Sequence, residues 1–173
     1  MKNLKFYLLV IFISFLPVTK LFAQNQFSNP TIFVGNVVTN LEKSVEFYTN
    51  VIGMTQTGTF SVDAEKAKQL GLSDKYKIDV TVLKLEDSPQ ANEWKLMSFG
   101  TKPGHKKPKW LHDDTGMQYI TINVNHLDPF IERMKKNNIE ILRKEVPVKL
   151  EENRYFILVQ DPDGTFIELI GPR

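Results

Sequence analysis

A plan of one strand followed by one helix occurs twice in this 173-residue chain, and this repetition restricts the fold more than any other feature. In each copy, a run rich in β-branched residues precedes a stretch whose apolar residues recur with the 3.6-residue period of a helix. The two predicted helices start at Asn40-Leu41 and at His126-Leu127. These two starts are 86 residues apart, which indicates two copies of one structural module. The predicted strand and helix are 31–39 and 41–52 in the first copy, and 118–125 and a helix ending near residue 137 in the second.

Local signals predict where the helices start and end. Asn40 is a predicted N-cap because its side-chain oxygen can accept hydrogen bonds from the free amides of the first turn. Gly53 is expected to close the same helix in a left-handed conformation. Asp128-Pro129 is predicted to begin the second helix, as a cap followed by proline. A short additional helix is predicted over 63–70, ended by Gly71.

Strand-like runs follow each helix, and their number completes the two modules. The sequence of 161–164, Asp-Pro-Asp-Gly, is typical of a type I turn and is expected to join the last two strands. We therefore predict an α+β fold with two βαβββ modules, at about 31–100 and 117–171, in one domain over 31–173. The segment 100–116 between them, here called the connector, is basic and contains several Pro and Gly residues. The additional strands are predicted at 54–60, 76–85, 94–99, 139–142, 154–159 and 165–170.

The first 23 residues have the pattern of a signal peptide. Lys2 and Lys5 precede an apolar run over 6–18, and Ala23 offers a small residue at the expected cleavage point. An apolar run of this length is too short for a typical bilayer span, and an uncleaved N-terminal anchor is the alternative interpretation. Residues 24–30 would then form a linker. The protein is expected to be exported, periplasmic or secreted, and to have no membrane segment after signal removal.

Composition excludes several functional classes. The chain contains no cysteine, which rules out a disulfide scaffold, a zinc–thiolate site and a cysteine nucleophile. Without residues 1–23 the chain has 19 basic and 20 acidic residues, so it lacks the basic excess of a nucleic-acid-binding protein. The connector contains a basic run with one tryptophan, which could form an anion-attracting rim but is interpreted as a solvated loop. Its residues are Lys102, His105, Lys106, Lys107, Lys109 and Trp110. A metal site at 112–114, His-Asp-Asp, is likewise less favoured than a solvated polar loop.

Two motifs resemble those of the vicinal-oxygen-chelate superfamily, which includes glyoxalase I, extradiol dioxygenases, and fosfomycin and bleomycin resistance proteins. The first motif is VTNLEKSVEFY at 38–48 with VIGM at 51–54, and the second is DPDGTFIEL at 161–169. The resemblance covers nearly the whole mature chain. It implies that eight strands curl into one cup-shaped sheet with helices outside and a divalent metal inside. Pairing as a homodimer is a further expectation from the resemblance.

The positions that hold metal ligands in that family carry different chemistry here. The resemblance places them on Phe33, on Lys95 or Met97, on Tyr119 and on Glu168, and Glu168 alone keeps the chemistry of a ligand. A phenyl ring offers no lone pair, an ammonium group opposes a divalent ion, and one carboxylate cannot hold a catalytic metal. We therefore expect neither a divalent metal nor another cofactor.

Strand alternation predicts which side chains line the cup. In the strand that starts the second module, Ile120, Ile122 and Val124 are expected to face the helix. The alternate residues Tyr119, Thr121 and Asn123 are expected to face the cup. Lys95 is hypothesised to pair with Glu168 in the space where relatives hold their metal. In the alternative, Glu168 reaches water and Lys95 is a solvated strand residue. The expected ligand pocket consists of Phe33, Met97, Tyr119, Asn123 and Phe166.

These features predict an exported, metal-free protein that binds a small molecule in a partly aromatic cup. In the alternative, the protein is a glyoxalase-like lyase or isomerase in which Lys95 or Glu168 moves a proton next to a carbonyl group. A third interpretation is a structural or interaction protein whose cup is filled by its own side chains, such as Phe33 and Met97.

Overall fold

The computed structural model describes residues 27–29, 31–102, 104–142 and 147–173. The predicted signal peptide lies outside the described residues. Residues Thr31–Arg173 make up the compact unit that carries every strand and helix of the described chain. None of these helices combines the length and the apolar character that a bilayer crossing requires.

The first module begins with a strand and a helix whose predicted caps are confirmed. Asn40 accepts a hydrogen bond from the amide of Lys43 at 3.0 Å, and Gly53 closes the helical segment with a φ of +88°. The segment widens after Glu46 into a π-helical turn. The elements of this module are β1 (Val34–Val37), α1 (Leu41–Glu46), the π-helical turn (Phe47–Ile52), β2 (Thr55–Val62), α2 (Ala64–Gln69), β3 (Ile78–Lys84) and β4 (Trp94–Ser98).

The second module repeats this order with one helix. Two predictions about it are wrong. The strand expected at 139–142 is absent, because Ile139 and Ile141 pack against the core without joining a strand ladder. Asp128 is the first residue of the helix and not its cap, which is Leu127. The elements are a 3₁₀ turn (Leu111–Asp113) in the connector, then β5 (Tyr119–Asn123), α3 (Asp128–Lys136), β6 (Val148–Glu151), β7 (Arg154–Gln160) and β8 (Phe166–Gly171).

The strands form two four-stranded sheets with the same order. The first sheet is ordered β1-β4-β3-β2 and the second β5-β8-β7-β6. In each sheet the first strand of the module pairs in parallel with the last, and the remaining pairs are antiparallel. The α+β class and the two βαβββ modules are therefore confirmed. Main-chain ladders do not join the two sheets within the described strands, so the eight strands do not form one continuous sheet.

One large apolar core is shared by both modules. It contains Tyr48 and Leu96 from the first module and Leu127 and Ile157 from the second, all fully buried. A smaller cluster lies on the other face of the first sheet, where Ala67 of α2 packs with side chains of β3. Helix α2 therefore covers the face that was expected to be free of helices.

Candidate functional site

The faces of β5 and β1 opposite the large core carry the predicted cup residues. In β5, Ile122 is buried in the core, whereas Tyr119 and Asn123 are exposed on the opposite face. In the first sheet, Gly35 and Lys95 are neighbours in the parallel pairing of β1 with β4. The burial pattern agrees with the predicted alternation of these strands.

Lys95 does not pair with Glu168 as hypothesised. Its ammonium nitrogen lies 3.2 Å from a carboxylate oxygen of Glu93 and 4.8 Å from the centre of the Phe33 ring. Glu93 lies directly before β4 and precedes Lys95 by two residues, so in extended backbone the two side chains point the same way and Glu93 is the nearer acid. The two-residue spacing was the sequence signal for this pair.

Glu168 is instead satisfied by a neutral donor. The hydroxyl of Thr121 donates to its carboxylate at 2.6 Å, across the parallel pairing of β5 with β8. On the other side, Leu158 of β7 is its neighbour in the sheet. The Glu168 carboxylate is therefore partly buried between an apolar neighbour, Leu158, and a hydroxyl neighbour, Thr121.

The family's metal positions do not fit a divalent cation in this chain. Lys95 places a positive charge beside Phe33, which has no donor atom, and the one carboxylate, Glu168, accepts from Thr121. Three protein ligands are the usual minimum for a catalytic metal. Within the described part of the chain, no three His, Asp or Glu residues come close enough to form such a set.

A cavity of about 380 Å³ lies between the connector and the second sheet, and is here called the connector cavity. Phe166, one of the predicted pocket residues, lines it and is only 1% exposed although it is not part of the large core. The cavity is mainly apolar with three charged or titratable side chains. Its lining consists of Lys109, Trp110, Leu111, His112, Glu140, Leu142, Leu158 and Phe166.

The connector is held against the second sheet by hydrogen bonds at its base. The ammonium of Lys107 donates to the main-chain oxygen of Asp161 at 2.9 Å, and the amide of Gln160 donates to the oxygen of Pro108 at 2.8 Å. A β-carbon on Gly164 would lie 2.8 Å from atoms of Lys107 and Pro108, so this close approach requires glycine. The base of the connector is therefore fixed to the second sheet, while most of its described side chains are exposed, as expected of a solvated loop.

Sequence reasoning missed most of the connector cavity. Trp110 and Leu111 are exposed, as expected of a solvated loop, but the pattern does not predict that they line a cavity with residues of the second sheet and of the segment after α3. The available signal was the pair of apolar residues inside a basic run, since large apolar side chains in a loop often mark a packed or binding surface. The other predicted site residues, Phe33, Lys95, Met97, Tyr119, Asn123 and Glu168, do not line this cavity.

A second cavity, of about 570 Å³, lies between the end of β1, the connector and the turn before β8. Its lining is mixed, with Lys102 and His105 of the connector and Asp114 and Asp163 nearby. The Thr39 amide donates to Asp163 at 3.1 Å, and Asp114 lies 3.6 Å from His105. Of its charged groups, Asp114 and His105 are paired with each other, whereas Asp163 and Lys107 bond to Thr39 and to the main-chain oxygen of Asp161.

Asp161 is fully buried, although the sequence predicted it only as a turn residue. It also accepts a hydrogen bond from the Tyr48 hydroxyl at 2.9 Å. Burial and the adjacent Asp161 carboxylate raise the pKa of Tyr48 well above its usual value. Tyr48 is therefore a neutral donor and not a proton-transferring group near neutral pH.

Comparison with known families agrees with this architecture. Residues 33–169 match the family model of the Glyoxalase/Bleomycin resistance protein/Dioxygenase superfamily, and the chain belongs to this superfamily. No curated protein sequence matches the chain at a significant level.

Solved structures show the same fold at low sequence identity. A glyoxalase family protein from Bacillus cereus is 19% identical with a TM-score of 0.68, over 86% of this chain and 96% of that one. A glyoxalase/dioxygenase from Nostoc punctiforme is 17% identical with a TM-score of 0.58, over 90% and 99%. Glyoxalase I from Zea mays is 20% identical with a TM-score of 0.60, over 82% of this chain and 44% of that one. At these identities the likeness concerns the fold.

Proposed function

We propose that this chain is an exported, metal-free member of the superfamily that binds a small molecule with an apolar body in the connector cavity. The observation that carries the proposal is the cavity itself. Its volume of about 380 Å³ falls in the range of about 300–1,000 Å³ that is common for ligand pockets. Apolar walls with a few polar groups at the edge are the usual form of such a site.

Ligand-dependent stabilisation tests the binding proposal. A compound that binds the folded state and is present at about 100 times its Kd adds about 2.7 kcal/mol to the stability. We expect a fragment library to contain compounds that raise the Tm of the wild type. Leu158→Trp should abolish these shifts because the larger ring fills the cavity from its sheet side.

Tyr119→Trp is the matched control, because it introduces the same ring in β5 of the same sheet, at a residue that does not line the connector cavity. The shifts should persist in this variant. If no compound raises the Tm, or if the shifts survive Leu158→Trp, the connector cavity is not a binding site.

The metal-free state is proposed from the donor chemistry at the family positions, where Lys95 and Phe33 stand. Elemental analysis of protein purified without chelator should find less than about 0.1 equivalent of any first-row divalent metal. About one equivalent, retained through gel filtration, would contradict this part of the proposal.

Export is proposed from the signal-like pattern of residues 1–23. Expression of the full chain followed by cell fractionation should place the protein outside the cytoplasm. Its mature N-terminus should be Gln24, as determined by N-terminal sequencing. A cytoplasmic protein that retains Met1 would contradict it.

A lyase or isomerase acting on a carbonyl compound is the second candidate function. The observation that favours it is Glu168, a partly buried carboxylate next to the hydroxyl of Thr121, since a positioned carboxylate can remove a proton beside a carbonyl. Incubation of small α-hydroxycarbonyl compounds with the protein in D₂O should then give deuterium incorporation by NMR, lost in Glu168→Gln. No incorporation above the rate of that variant would exclude this candidate for the compounds tested.

A further inference from the structure

The wall of the connector cavity contains two parallel aromatic rings. The rings of Trp110 and His112 are inclined by 11° and their centres are 6.4 Å apart. Both side chains line the cavity, and the ring of Phe166 lines it from β8. Because the two rings stack on each other, each helps to hold the other in place, and an aromatic side chain in the lining favours a planar aromatic ligand through offset-stacked or edge-to-face contact.

The turn that carries these rings is fixed before any ligand binds. A carboxylate oxygen of Asp113 accepts from the amides of Lys109 and Trp110 at 2.8 and 3.0 Å. The amide of Asp113 in turn donates to the Trp110 oxygen at 3.1 Å. A wall that is already ordered loses little conformational freedom on binding, which favours affinity.

The charges at the cavity are distributed unevenly between its walls. Lys109 and His112 belong to the connector wall, where the Asp113 carboxylate lies 3.8 Å from the His112 ring nitrogen, whereas Glu140 belongs to the segment after α3. Because Asp113 lies beside His112, Lys109 is the lining residue that supplies positive charge on this wall. An acidic group on a ligand is therefore favoured on the connector side, next to Lys109 and away from Glu140. The same side carries the two parallel rings, so a ring and its acidic substituent can be recognised together.

We propose that the connector cavity takes a planar aromatic acid, with its ring against Trp110 and Phe166 and its anionic group toward Lys109. This inference rests on the proposed binding function and specifies its ligand class. Trp110 selects for a flat ring, Lys109 selects for the acid, and Asp113 is a positioning residue that fixes the turn.

Three probes of similar size separate shape from charge. 2-Naphthoate is flat and anionic, adamantane-1-carboxylate is globular and anionic, and 2-naphthylmethanol is flat and neutral. We expect isothermal titration with the wild type to give a Kd for 2-naphthoate at least about tenfold lower than for either of the others. Equal or tighter binding of adamantane-1-carboxylate or 2-naphthylmethanol would overturn the inference but leave the proposed function intact. Failure of all three to bind would overturn the inference, whereas the fragment screen decides the proposed function independently.

Variants assign each preference to a residue. Trp110→Leu keeps an apolar side chain but removes the ring, and it should bring 2-naphthoate and adamantane-1-carboxylate to within about threefold of each other. Lys109→Gln should weaken 2-naphthoate about tenfold while leaving 2-naphthylmethanol unchanged. Lys106→Gln is the matched control, because this connector lysine does not line the cavity, and it should leave all three affinities unchanged.

The positions are suitable for substitution because Trp110 is 46% exposed and Lys109 is also exposed, so neither change removes a core side chain. The Tm of each variant without ligand checks that it is folded. If Trp110→Leu is folded and still prefers 2-naphthoate about tenfold, Trp110 is not the selecting residue and the inference is wrong.

Discussion

Asp161 is the residue that connects the two modules most directly. One oxygen of its carboxylate accepts from the Asn36 amide at 3.1 Å and from the Tyr48 hydroxyl at 2.9 Å, both in the first module. The other oxygen accepts at 2.7–3.0 Å from three main-chain amides of its own turn. A fully buried carboxylate is tolerated only when its hydrogen-bonding capacity is used, and here it is used from both sides.

Asp161→Asn should therefore lower the free energy of unfolding by about 3 kcal/mol, because an amide presents donors to donors in a buried site. Urea denaturation at neutral pH measures this change. Asp163→Asn, in the same turn, is the control: near the surface, Asp163 accepts from the Thr39 amide with one oxygen and from the Thr39 hydroxyl with the other. The asparagine oxygen can keep the first bond, and the hydroxyl can accept from the asparagine nitrogen in place of the second. Equal losses in the two variants would argue against the special role of Asp161.

The raised pKa of Tyr48 predicts how stability depends on pH. Above about pH 10, a tyrosine in the unfolded chain loses its proton while folded Tyr48 keeps it, so the folded state binds more protons and stability falls as pH rises. One such group contributes a slope of about 1.4 kcal/mol per pH unit. Tyr48→Phe should make the decline above about pH 10 shallower by this amount, as measured by urea denaturation across a pH series.

Tyr119→Phe provides the control for this experiment, because it removes an exposed tyrosine on the opposite face of the second sheet. Its decline with pH should be as steep as that of the wild type. A Tyr48→Phe protein with an unchanged slope would show that Tyr48 does not retain its proton in the folded state.

At the residue scale, the sequence could predict faces but not partners. The period of two in β5 placed Tyr119 on the side opposite the core. The same reasoning could not identify the partner of Lys95, because several acids can reach one face and the choice depends on distances of a few ångströms. Lys95 pairs with Glu93, two residues earlier in the chain. Glu168 accepts a hydrogen bond from Thr121, its neighbour in the pairing of β5 with β8.

At the scale of elements, the π-helical turn after α1 is held by the helix of the other module. The guanidinium of Arg133 in α3 donates from Nε to the Val51 oxygen at 2.8 Å and from Nη2 to the Ile52 oxygen at 3.2 Å. Its guanidinium also lies 4.3 Å from the centre of the Phe130 ring. Because the last carbonyl groups of a helical segment lack partners within it, Arg133 provides the donors that this end needs.

Arg133→Met should lower the free energy of unfolding by about 2 kcal/mol, because the change removes charged donors from two part-buried carbonyl groups. Arg133→Lys keeps the charge and one donor group, so it should recover part of this loss. Thermal and urea unfolding of both variants check the prediction. If the lysine and methionine variants are equally stable, the donated hydrogen bonds do not support the turn.

The hydrophobic pattern of the sequence predicted which segments are buried better than it predicted which segments form strand or helix hydrogen bonds. Ile139 and Ile141 were correctly recognised as apolar and pack against the core, yet the edge strand forms later, at Val148–Glu151, where every residue is exposed. A strand at a sheet edge forms through hydrogen bonds to its one neighbouring strand, and it does not require an apolar pattern in its own sequence. The π-helical turn was likewise read as ordinary helix, since Tyr48 and Ile52 fit both periods.

At the scale of the whole molecule, the two modules are joined by side chains and by one core instead of by a common sheet. The described strands form two separate ladders, and the contacts between modules include Asn36 with Asp161 and Arg133 with the π-helical turn. The large core takes buried residues from both modules. Each module alone would expose its share of this core to water, so the two modules depend on each other for burial of these side chains.

This arrangement predicts that the modules stay together when the chain between them is cut. A protease recognition sequence inserted between Gly104 and His105 lies in an exposed part of the connector. After cleavage, the two fragments should co-elute as one particle in size-exclusion chromatography and separate only in denaturant, because apolar burial at the shared core favours association. Cleaved fragments that elute separately under native conditions would show that covalent linkage, and not the shared core, holds the modules together.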